Sequence, residues 1–516
     1  MKNLHYNKYA EPRRFSDLRR RFLAGCVRAL AGCWVLKAEA LLGSVSAHEV
    51  DLSSQKPDSR VELESSDGRL TEGFRWAKNQ ALAYVSTGDP VGLWYEAALP
   101  GRHAFCMRDV SHQSNGAQML GLGAFNENML RKFARNISAS RDWCSYWEIN
   151  KDNAPAPVDY KNDQEFWYNL PANFDVLDAC YRQFLWTGNN AYLDPVFLNF
   201  YNHTVTDYVR KWDINGDGLM EHLPRYGHRG IASYDEQHIA EIMVGGDLVA
   251  AQYAAYSDFA KIQMLLGNKW RAEEFTAKAQ HLKSVYNKDW WNPVQDDYYG
   301  ALGNDGKFHA DMTSGSAIDT VLFPLYCEII EPGHQTEAAL YTLTRALPAN
   351  ARKPGGVEEK SYLPEILYRY GRAEIAYPIL LGLMDPSLKR REYPEVSFAV
   401  VGACATGLMG LRADSTSKVV ETFPQLSGME RVALRHVPVF NNQISVQHMA
   451  NSTTTLTNEF GGTIQWRSSF PGRFEKLKID GEDMPARTGS RLGGVTETWI
   501  VIAVGYDEKR TVQTPL

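Results

Sequence analysis

Three glycine-centred joints between apolar, helix-forming segments constrain the fold of this chain more than any other feature. The joints contain Gly188, Gly267 and Gly371, and each separates the end of one amphipathic segment from the start of the next. A glycine at such a position supplies the left-handed backbone conformation on which helices commonly end. A second helix that starts within a few residues then runs back antiparallel to the first. The sequence therefore predicts a repeated helical hairpin.

The apolar residues between residues 70 and 412 recur at three- and four-residue spacing, as expected for helices with one buried face. Two such sets are Leu122, Phe125, Met129 and Phe133, and Phe174, Leu177, Tyr181, Phe184 and Leu185. We expect ten to twelve helices in this region, which fits a ring of six hairpins, an (α/α)6 toroid. An open α-solenoid is the alternative, although its loops are usually shorter and more regular.

The pattern changes after Arg412. Segments that alternate in polarity or are rich in β-branched residues follow one another, separated about every ten positions by turn residues such as Gly461 and Gly472. This pattern predicts a small β-sandwich over residues 413–516. Residues 48–69 are polar and are expected to form a loose lead-in or an edge strand, which leaves residues 70–412 for the helical domain.

Residues 1–47 resemble an export signal. Three arginines at positions 19–21 precede a moderately apolar stretch, and small residues at positions 44–47 offer a cleavage site. A twin-arginine signal tolerates such a weakly apolar segment, so we expect a periplasmic, cell-surface or extracellular protein. Lipoprotein-like sequences ending at Cys26 and Cys33, or an amphipathic extension of a cytosolic protein, are the alternatives. No other stretch has 18 uninterrupted apolar residues, so no transmembrane segment is expected.

Several function classes are excluded by composition and by missing motifs. The net charge of −6 provides no basic surface for nucleic acid. The seven cysteines form no CxxC pair, which argues against a zinc site or a disulfide scaffold. There is no nucleotide-binding glycine loop, no G-x-S-x-G motif and no H-E-x-x-H motif. We therefore expect chemistry based on carboxylates, without a cofactor.

The first candidate segment is residues 101–113, interpreted as a loop just before a helix. Asp109 is a candidate base or sugar-binding carboxylate, and Arg108, His112 and Gln113 are candidate substrate ligands. The alternative is that Asp109 only stabilises the start of the helix.

Glu148 follows Trp147 in a second candidate segment that is rich in aromatic residues. A glutamate beside a tryptophan is desolvated, which raises its pKa and suits a proton donor. An exposed position on an amphipathic turn is the alternative. Glu395, just before the last helix, either starts that helix or contributes to the site.

A third segment holds Tyr234, Asp235, Glu236 and His238. Two adjacent carboxylates beside tyrosine and histidine are candidates for acid and base, with surface charge as the alternative. Two carboxylates without a cofactor suffice for glycoside hydrolysis, in which one donates a proton to the leaving oxygen and the other activates water or attacks the sugar.

Residues 213–221 begin like a calcium-binding loop, with Asp213, Asn215 and Asp217 at alternate positions. The twelfth position is Pro224 instead of a bidentate glutamate, so the loop is not a standard EF-hand. A tight turn of Asn, Asp and Gly residues is the simpler interpretation, and calcium stays an alternative.

The order of these segments resembles the six-hairpin (α/α)6 glycosidases. Residues 169–174, 181–189 and 213–221, followed by Tyr234 and Asp235, are similar to the bile-acid β-glucosidase family, in which a D-x-D-x-D-G-L-I-E turn precedes a T-Y-D motif. This resemblance implies that Asp235 is the acid/base residue. We therefore predict Asp235 as the proton donor, with Glu236 as the alternative. The family's Y-D-V-H segment is similar to residues 108–112, with one residue inserted. The family's nucleophilic glutamate has no counterpart in residues 102–105, so inversion deserves consideration.

The whole chain resembles bacterial six-hairpin enzymes such as the β-glucuronidases of glycoside hydrolase family 154. The last 100 residues resemble the accessory domain that follows the barrel in α-L-rhamnosidase-type enzymes. Basic side chains lie in the same predicted loops as the acids and would bind a uronate carboxylate, unless they only balance nearby acids. They are Arg102, His103, Arg108, His112, Arg225, His228 and Arg229.

The sequence thus predicts an exported glycoside hydrolase that removes terminal sugars, with β-glucuronic acid as the first expected sugar and a uronate-containing glycan as substrate. An α-L-rhamnosidase or β-glucosidase-type hydrolase is a close alternative. A polysaccharide lyase using Tyr234 and His238, or a glycan-binding protein without activity, are more distant alternatives.

Overall fold

The structure is a computed structural model that describes residues 59–236, 238–310, 317–345 and 356–515. The predicted leader, with Cys26 and Cys33, lies outside these residues. Among the residues described, no helix combines the length and the apolar character needed to cross a bilayer. The five cysteines within them are free thiols.

Helices dominate the chain between residues 68 and 402. They are α1 (Gly68–Ala83), α2 (Met107–Met119), α3 (Gly123–Arg135), α4 (Ala172–Thr187), α5 (Pro195–His203), α6 (Val209–Trp212), α7 (Gly246–Leu265), α8 (Lys269–Asp289), α9 (Ala317–Tyr326), α10 (His334–Arg345), α11 (Val357–Arg369), α12 (Ala373–Met384) and α13 (Pro394–Gly402).

Alternate helices form an inner ring. In order, α2 contacts α4, α4 contacts α7, α7 contacts α9, α9 contacts α11 and α11 contacts α13. The last inner helix, α13, also contacts α2, which the two ends of an open solenoid would not do. The other helices pack outside this ring, and one of them precedes each inner helix along the chain. The predicted architecture of six helical hairpins is therefore confirmed.

The glycine joints have the predicted conformation. Gly188, Gly267 and Gly371 follow the ends of α4, α7 and α11 with φ angles of 65°, 79° and 72°. Helices α8 and α12 then begin two residues after Gly267 and Gly371. After Gly188 the chain first forms one 3₁₀ turn, Asn190–Leu193. Asp194 then caps α5 by accepting hydrogen bonds from the backbone N–H groups of Val196 and Phe197.

Residues 412–513, with one strand from before the ring, form two facing β-sheets. The strands are β1 (Glu62–Ser65), β15 (Arg412–Asp414), β16 (Val419–Thr422), β17 (Arg431–Val439), β18 (Asn442–Met449), β19 (Thr453–Phe460), β20 (Ile464–Pro471), β21 (Lys476–Ile479), β22 (Glu482–Pro485), β23 (Arg487–Ser490), β24 (Thr496–Val504) and β25 (Glu508–Gln513).

One sheet has the order β1-β17-β18-β19-β25-β21-β22 and the other β15-β16-β20-β24-β23. The strands have one face in a core, and the side chains on that face are buried. Leu434, Val446 and Leu456, on three neighbouring strands, are examples. The predicted β-sandwich is confirmed. Strand β1 is an edge strand from the polar segment before the ring, and it pairs with β17, with Leu63 opposite Leu434.

The β-sandwich contacts the ring where the inner helices end. The backbone N–H of Ser415 donates to the carbonyl of Leu185 (3.0 Å), and that of Phe440 donates to the carbonyl of Trp186 (2.8 Å), both in the last turn of α4. Because the inner helices are parallel to one another, their N-terminal ends lie together at the end of the ring opposite the β-sandwich.

Short strands stiffen the loops between helices. They are β2 (Val85–Asp89), β3 (Gly92–Tyr95), β4 (Ala104–Cys106), β5 (Glu148–Asn150), β6 (Tyr160–Asn162), β7 (Glu165–Phe166), β8 (Tyr168–Asn169), β9 (Arg229–Ile231), β10 (Ile242–Gly245), β11 (Trp291–Asn292), β12 (Asp297–Tyr298), β13 (Ala301–Gly303) and β14 (Phe308–His309). Several of them, including β4, β5, β9 and β10, flank the N-terminal ends of inner helices.

Candidate active site

The first turns of the inner helices carry a set of carboxylates that we call the acidic ring. A helix N-terminus favours negative charge because its first N–H groups are unpaired and its dipole is positive there. Since these N-termini lie at one end of the molecule, their carboxylates converge. The members are Asp109 in α2, Asp175 in α4, Asp247 in α7, Glu358 and Glu359 in α11, and Glu395 in α13.

Helix α2 starts earlier than the sequence analysis expected. Residues 101–113 were interpreted as a loop before a helix, but α2 begins at Met107 and includes Asp109, His112 and Gln113. The reason is that β4 pairs with β5, and its last residue, Cys106, lies opposite Glu148 and leads directly into the helix. Asp109 therefore lies inside the first turn, and its side chain is buried.

Asp109 has charged and polar neighbours on both of its oxygens. Arg108 Nε lies 3.4 Å from Oδ1, and the hydroxyl of Tyr393 donates to Oδ2 at 3.2 Å. Burial and the nearby Glu395 carboxyl raise the pKa of Asp109 to about 6, and Arg108 partly opposes the shift. A carboxyl with this pKa changes charge near neutral pH, which suits an acid/base role.

His112 and Glu395 form a buried pair beneath Asp109. The imidazole Nδ1 lies 2.8 Å from Glu395 Oε1, and the imidazole ring stacks on Tyr362 at 3.5 Å between centroids. Burial lowers the pKa of His112 to about 4 and raises that of Glu395 to about 8. At neutral pH the pair is therefore a neutral imidazole hydrogen-bonded to a largely protonated carboxyl.

Tyr234 is held by two members of the acidic ring. Its hydroxyl donates to the carboxylate of Asp175, and its backbone N–H donates to Asp247 Oδ2 at 2.6 Å. Ser233 Oγ donates to the same Asp247 oxygen at 3.1 Å. The ring of Tyr234 is thereby fixed, and the Arg108 guanidinium lies 5.1 Å from its centroid.

Glu236 lies on the loop between β9 and β10, close enough to Asp109 and Arg108 for their charges to act on it. Its side chain is exposed at the surface of the loop, yet the protein around it partly desolvates the carboxyl. Desolvation raises its pKa, the Arg108 guanidinium opposes this, and the carboxylates of Asp159 and Asp109 add to it. Glu236 and Asp109 thus come from different hairpins and share Arg108 as their neighbour.

Asp235 and His238, predicted on the same loop, have different surroundings. The backbone N–H of Asp235 donates to Ser233 Oγ at 3.0 Å, and its carboxylate raises the pKa of Asp247. His238 lies near the surface, 3.2 Å from the carboxylate of Glu241. The charge of Asp109 thus acts on Glu236, that of Asp235 acts on Asp247, and His238 pairs with Glu241.

Glu148 is buried on β5, so the alternative of an exposed turn is wrong. Its carboxylate pairs with Arg102 at 3.1 Å. Burial and a hydrogen bond with the Asp159 carboxyl raise the pKa of Glu148 to about 8. Two carboxyls in such contact share one proton at neutral pH, because both cannot be ionised cheaply.

An aromatic wall borders the acidic ring. Trp147, Tyr234, Phe323 and Tyr362 follow one another, with centroids 6.3 Å apart for the first pair and 5.3 Å for each of the next two. Carboxylates beside aromatic faces suit sugars, whose hydroxyls need acceptors and whose C–H faces pack on rings.

The family model of the bacterial α-L-rhamnosidase six-hairpin glycosidase domain matches residues 178–391. Together with the ring of six hairpins, this match decides the assignment. The chain has the six-hairpin glycosidase fold.

Solved structures with this domain architecture are similar in fold. A rhamnosidase of the GH78 family from Bacillus sp. GL1 has a TM-score of 0.56 and 15% identity, covering 76% of this chain and 40% of its own. The α-L-rhamnosidase of Dictyoglumus thermophilum has a TM-score of 0.58 and 14% identity, covering 89% and 51%. That of Aspergillus terreus has 0.54 and 14%, covering 86% and 50%. This chain thus spans about half the length of these enzymes. No curated protein matches its sequence significantly.

The six-hairpin glycosidase domain explains which residues are brought together. The matched region includes Glu236 and Glu358 but neither Asp109 nor Glu395, which the fold adds from its first and last hairpins. The narrower resemblance to glycoside hydrolase family 154 stays a prediction.

Three of the predicted basic residues lie away from the acidic ring. Arg225 is exposed and packs over its neighbour Tyr226, and His228 stacks on Trp167. Arg229 pairs with Asp142 at 3.2 Å. Of the guanidiniums proposed to bind a uronate, those of Arg102 and Arg108 lie beside candidate acids, and each has a carboxylate partner.

The segment proposed to bind calcium brings three carboxylates together. Oxygens of Asp213, Asp217 and Glu221 lie within 4.8 Å of one another. Asn215, the third predicted ligand, instead uses its side-chain oxygen to accept the Asp217 backbone N–H at 2.8 Å. Calcium binding at this turn stays a prediction.

Residue-by-residue reasoning missed Asp175, Asp247, Tyr362 and Glu358. The available signal was positional, because an acid in the first turn of each inner helix must face the same end of the ring. Tyr362 has no such signal, since its stacking on His112 depends on the packing of α11 against its neighbours.

We expect the stability of the Glu395→Gln variant relative to the wild type to increase progressively as the pH rises from about 6.5 to about 8. The folded pKa of Glu395 (about 8) exceeds its ordinary value of 4.5, so the folded state holds an extra proton and loses stability as the pH rises through this range. His112, with a pKa lowered from 6.5 to about 4, acts in the opposite sense only below pH 6.5. The amide stays neutral and keeps a hydrogen bond to His112.

Urea unfolding at pH 6.5 and 8 measures this effect. The difference in unfolding free energy between Glu395→Gln and wild type should change by about 2 kcal/mol in favour of the variant. Glu482→Gln, on exposed β22, is the matched control and should show no such change. An equal stability difference at both pH values would contradict the protonated state of Glu395.

Proposed function

We propose that this protein is a glycoside hydrolase that removes a terminal neutral sugar from a glycan, with Glu236 as the proton donor and Asp109 as the second carboxylate. The observation that carries this proposal is that Glu236 and Asp109, from different hairpins, both interact electrostatically with Arg108 and both have a raised pKa. Above pH 6 Asp109 is largely ionised, as the second carboxylate must be, and Glu236 lies on an exposed loop with a pKa that desolvation raises above its usual value. Hydrolysis of a glycosidic bond needs one carboxyl to donate a proton and one carboxylate to activate water or attack the sugar.

The donor role goes to Glu236 ahead of Asp235, which the resemblance to the bile-acid β-glucosidase family favoured. Glu236 interacts with Arg108 and Asp109 across the site. The Asp235 carboxylate instead acts on Asp247, which anchors the loop. Asp235 is therefore a candidate for positioning the loop, and substitution of each residue distinguishes the two roles.

The charge of the site supports a neutral sugar more than a uronate. The carboxyls of the acidic ring, with Glu148, Asp159 and Glu236, outnumber the two nearby guanidiniums of Arg102 and Arg108, even though Glu395 is largely protonated and Glu148 and Asp159 share a proton. A further carboxylate on the substrate would be repelled. The aromatic wall favours a sugar with an apolar substituent, such as the methyl group of a 6-deoxyhexose, so α-L-rhamnose is the first sugar to test.

A uronide is the second candidate, supported by Arg108. Its guanidinium is partly accessible and lies over Tyr234, where it has room for a substrate carboxylate. The lyase alternative has less support, because the proposed base, Tyr234, donates its hydroxyl to Asp175 and has a pKa raised well above its usual value.

A panel of nitrophenyl glycosides tests the proposal. We expect release of nitrophenol from the α-L-rhamnoside at a rate well above those from the β-D-glucoside and the β-D-glucuronide. Hydrolysis of the glucuronide alone would instead establish the uronide. An unsaturated, ultraviolet-absorbing product from a uronate polymer would indicate a lyase, and glycan binding without any product would contradict an enzyme.

Export belongs to the same proposal and rests on the leader sequence alone. A periplasmic or extracellular location suits a hydrolase that acts on glycans too large to enter the cell. Fractionation of cells that express the full chain, with and without residues 1–47, tests it.

A further inference from the structure

A cavity of about 410 Å³ lies at the end of the inner ring away from the acidic ring. We call it the rear cavity. The later turns of α4, α7 and α11 line it, and Arg412 and Arg491 of the β-sandwich also contribute to its wall. Its volume is within the range of small-molecule sites.

Most of the charged side chains in this wall neutralise one another. Three ion pairs within single helices span 2.7 to 2.9 Å, namely Asp178 with Arg182, Asp258 with Lys261, and Glu365 with Arg369. Arg491 is neutralised by Glu421 and Glu497 of the β-sandwich. These groups need no ligand to balance them.

One of the wall's acids does not carry a full charge. Burial raises the pKa of Asp258 to about 8, and the nearby Asp178 carboxyl adds to this shift, so Asp258 is largely protonated at neutral pH. Five cationic side chains and four carboxyls, including Glu328, line the cavity. The cations facing the cavity therefore exceed the anions.

Arg412 is the cation without a partner. Its side chain is exposed, it lines the cavity, and no carboxylate lies within ion-pair distance of it among the described residues. Its cross-strand neighbour, Glu421, pairs with Arg467 at 3.0 Å and with Arg491. Arg412 thus presents an unpaired guanidinium, whose geometry matches a carboxylate in a bidentate arrangement.

We propose that the rear cavity binds a small sugar acid, with its carboxylate on Arg412 and its hydroxyls on the polar wall. Asn115, Ser257 and Glu365 supply hydrogen-bonding groups, and Tyr181 and Tyr253 supply aromatic surface. A neutral sugar would leave Arg412 without a counter-charge, and a simple inorganic anion would leave the polar wall unused. The inference does not depend on the hydrolase proposal, since it uses none of the residues of the acidic ring.

Titration calorimetry with D-glucuronate on the full-length protein tests this site, with D-glucose and inorganic phosphate as parallel probes. We expect glucuronate to bind at least about tenfold more tightly than glucose, because only the acid satisfies Arg412. Arg412→Gln should weaken binding by at least about tenfold, and Arg412→Lys by less, because it keeps the charge but loses the bidentate geometry. Arg473→Gln, at an exposed arginine of the β-sandwich, should bind like wild type.

The same titrations can overturn the proposal. Binding that Glu236→Gln abolishes and Arg412→Gln leaves intact would move the ligand to the acidic ring. Phosphate binding without glucuronate binding, or no glucuronate binding at millimolar concentration, would also reject it. Cys327 lines the cavity and gives a second readout, because bound glucuronate should slow its labelling by a methanethiosulfonate reagent, as mapped by peptide mass spectrometry. Unchanged labelling would count against the site.

Discussion

Replacing Glu236 by glutamine should lower turnover of a natural glycan by about two to four orders of magnitude, the usual contribution of a general acid. The amide cannot donate a proton to the leaving oxygen, although it has the shape of the protonated glutamic acid. A nitrophenolate leaving group needs little protonation, so the loss should be much smaller on nitrophenyl glycosides. The measurement is kcat for both substrate types.

Asp235→Asn is the matched comparison, since it removes the adjacent carboxylate on the same loop. A positioning role predicts a moderate loss that is similar for both kinds of leaving group. A strong dependence on the leaving group in Asp235→Asn, with little effect of Glu236→Gln, would overturn the assignment of the proton donor. The resemblance to the bile-acid β-glucosidase family would then be the better guide.

Replacing Asp109 by asparagine should lower the turnover of activated and natural substrates alike, by about a thousandfold or more. The second carboxylate either activates water or attacks the sugar, and a good leaving group does not replace this function. Substrate binding should persist, because Arg108 and the aromatic wall are unchanged. Steady-state kinetics on the nitrophenyl glycoside, with binding measured by calorimetry, separates the two effects.

The buried position of Asp109 calls for a folding control. Thermal unfolding followed by circular dichroism should show a cooperative transition for Asp109→Asn, because an uncharged amide is less costly to bury than a carboxylate. Added azide should restore part of the activity if Asp109 is the missing base or nucleophile. Wild-type turnover of the activated substrate by a folded Asp109→Asn would exclude the residue from the reaction.

The fold was largely predictable because its determinants are local. Glycines with positive φ ended helices where the sequence placed them, and apolar spacing identified the buried faces of α3 and α4. The start of α2 was misplaced because β4 leads into it without a side-chain cap, so the usual sequence signal of a helix start is missing.

The candidate site was predictable residue by residue but not as a set of contacts. Asp109, Tyr234, Trp147 and Glu395 were each identified from local chemistry. Their partners are remote, since the His112–Glu395 pair joins residues 283 positions apart. Spacing along one chain carries no information about such a pair without knowledge of how the ring is assembled.

The basic residues illustrate the same limit. Arg225, His228 and Arg229 follow a candidate turn in sequence, which suggested a common role in uronate binding. In the structure their interactions are with Tyr226, Trp167 and Asp142, because β9 pairs with β8 and holds this segment beside the loop around Tyr168. Proximity in sequence therefore overestimated the positive charge of the site.

Strand β1 has a consequence for biosynthesis. It leaves the ribosome before the helical domain, but its partner strand β17 emerges about 370 residues later. At ordinary rates of synthesis this is a delay of roughly 20 to 70 s. During that time the segment has exposed backbone groups that no strand of its own sheet can satisfy. We therefore expect the segment that forms β1 to need protection from other exposed strands until β17 has been made.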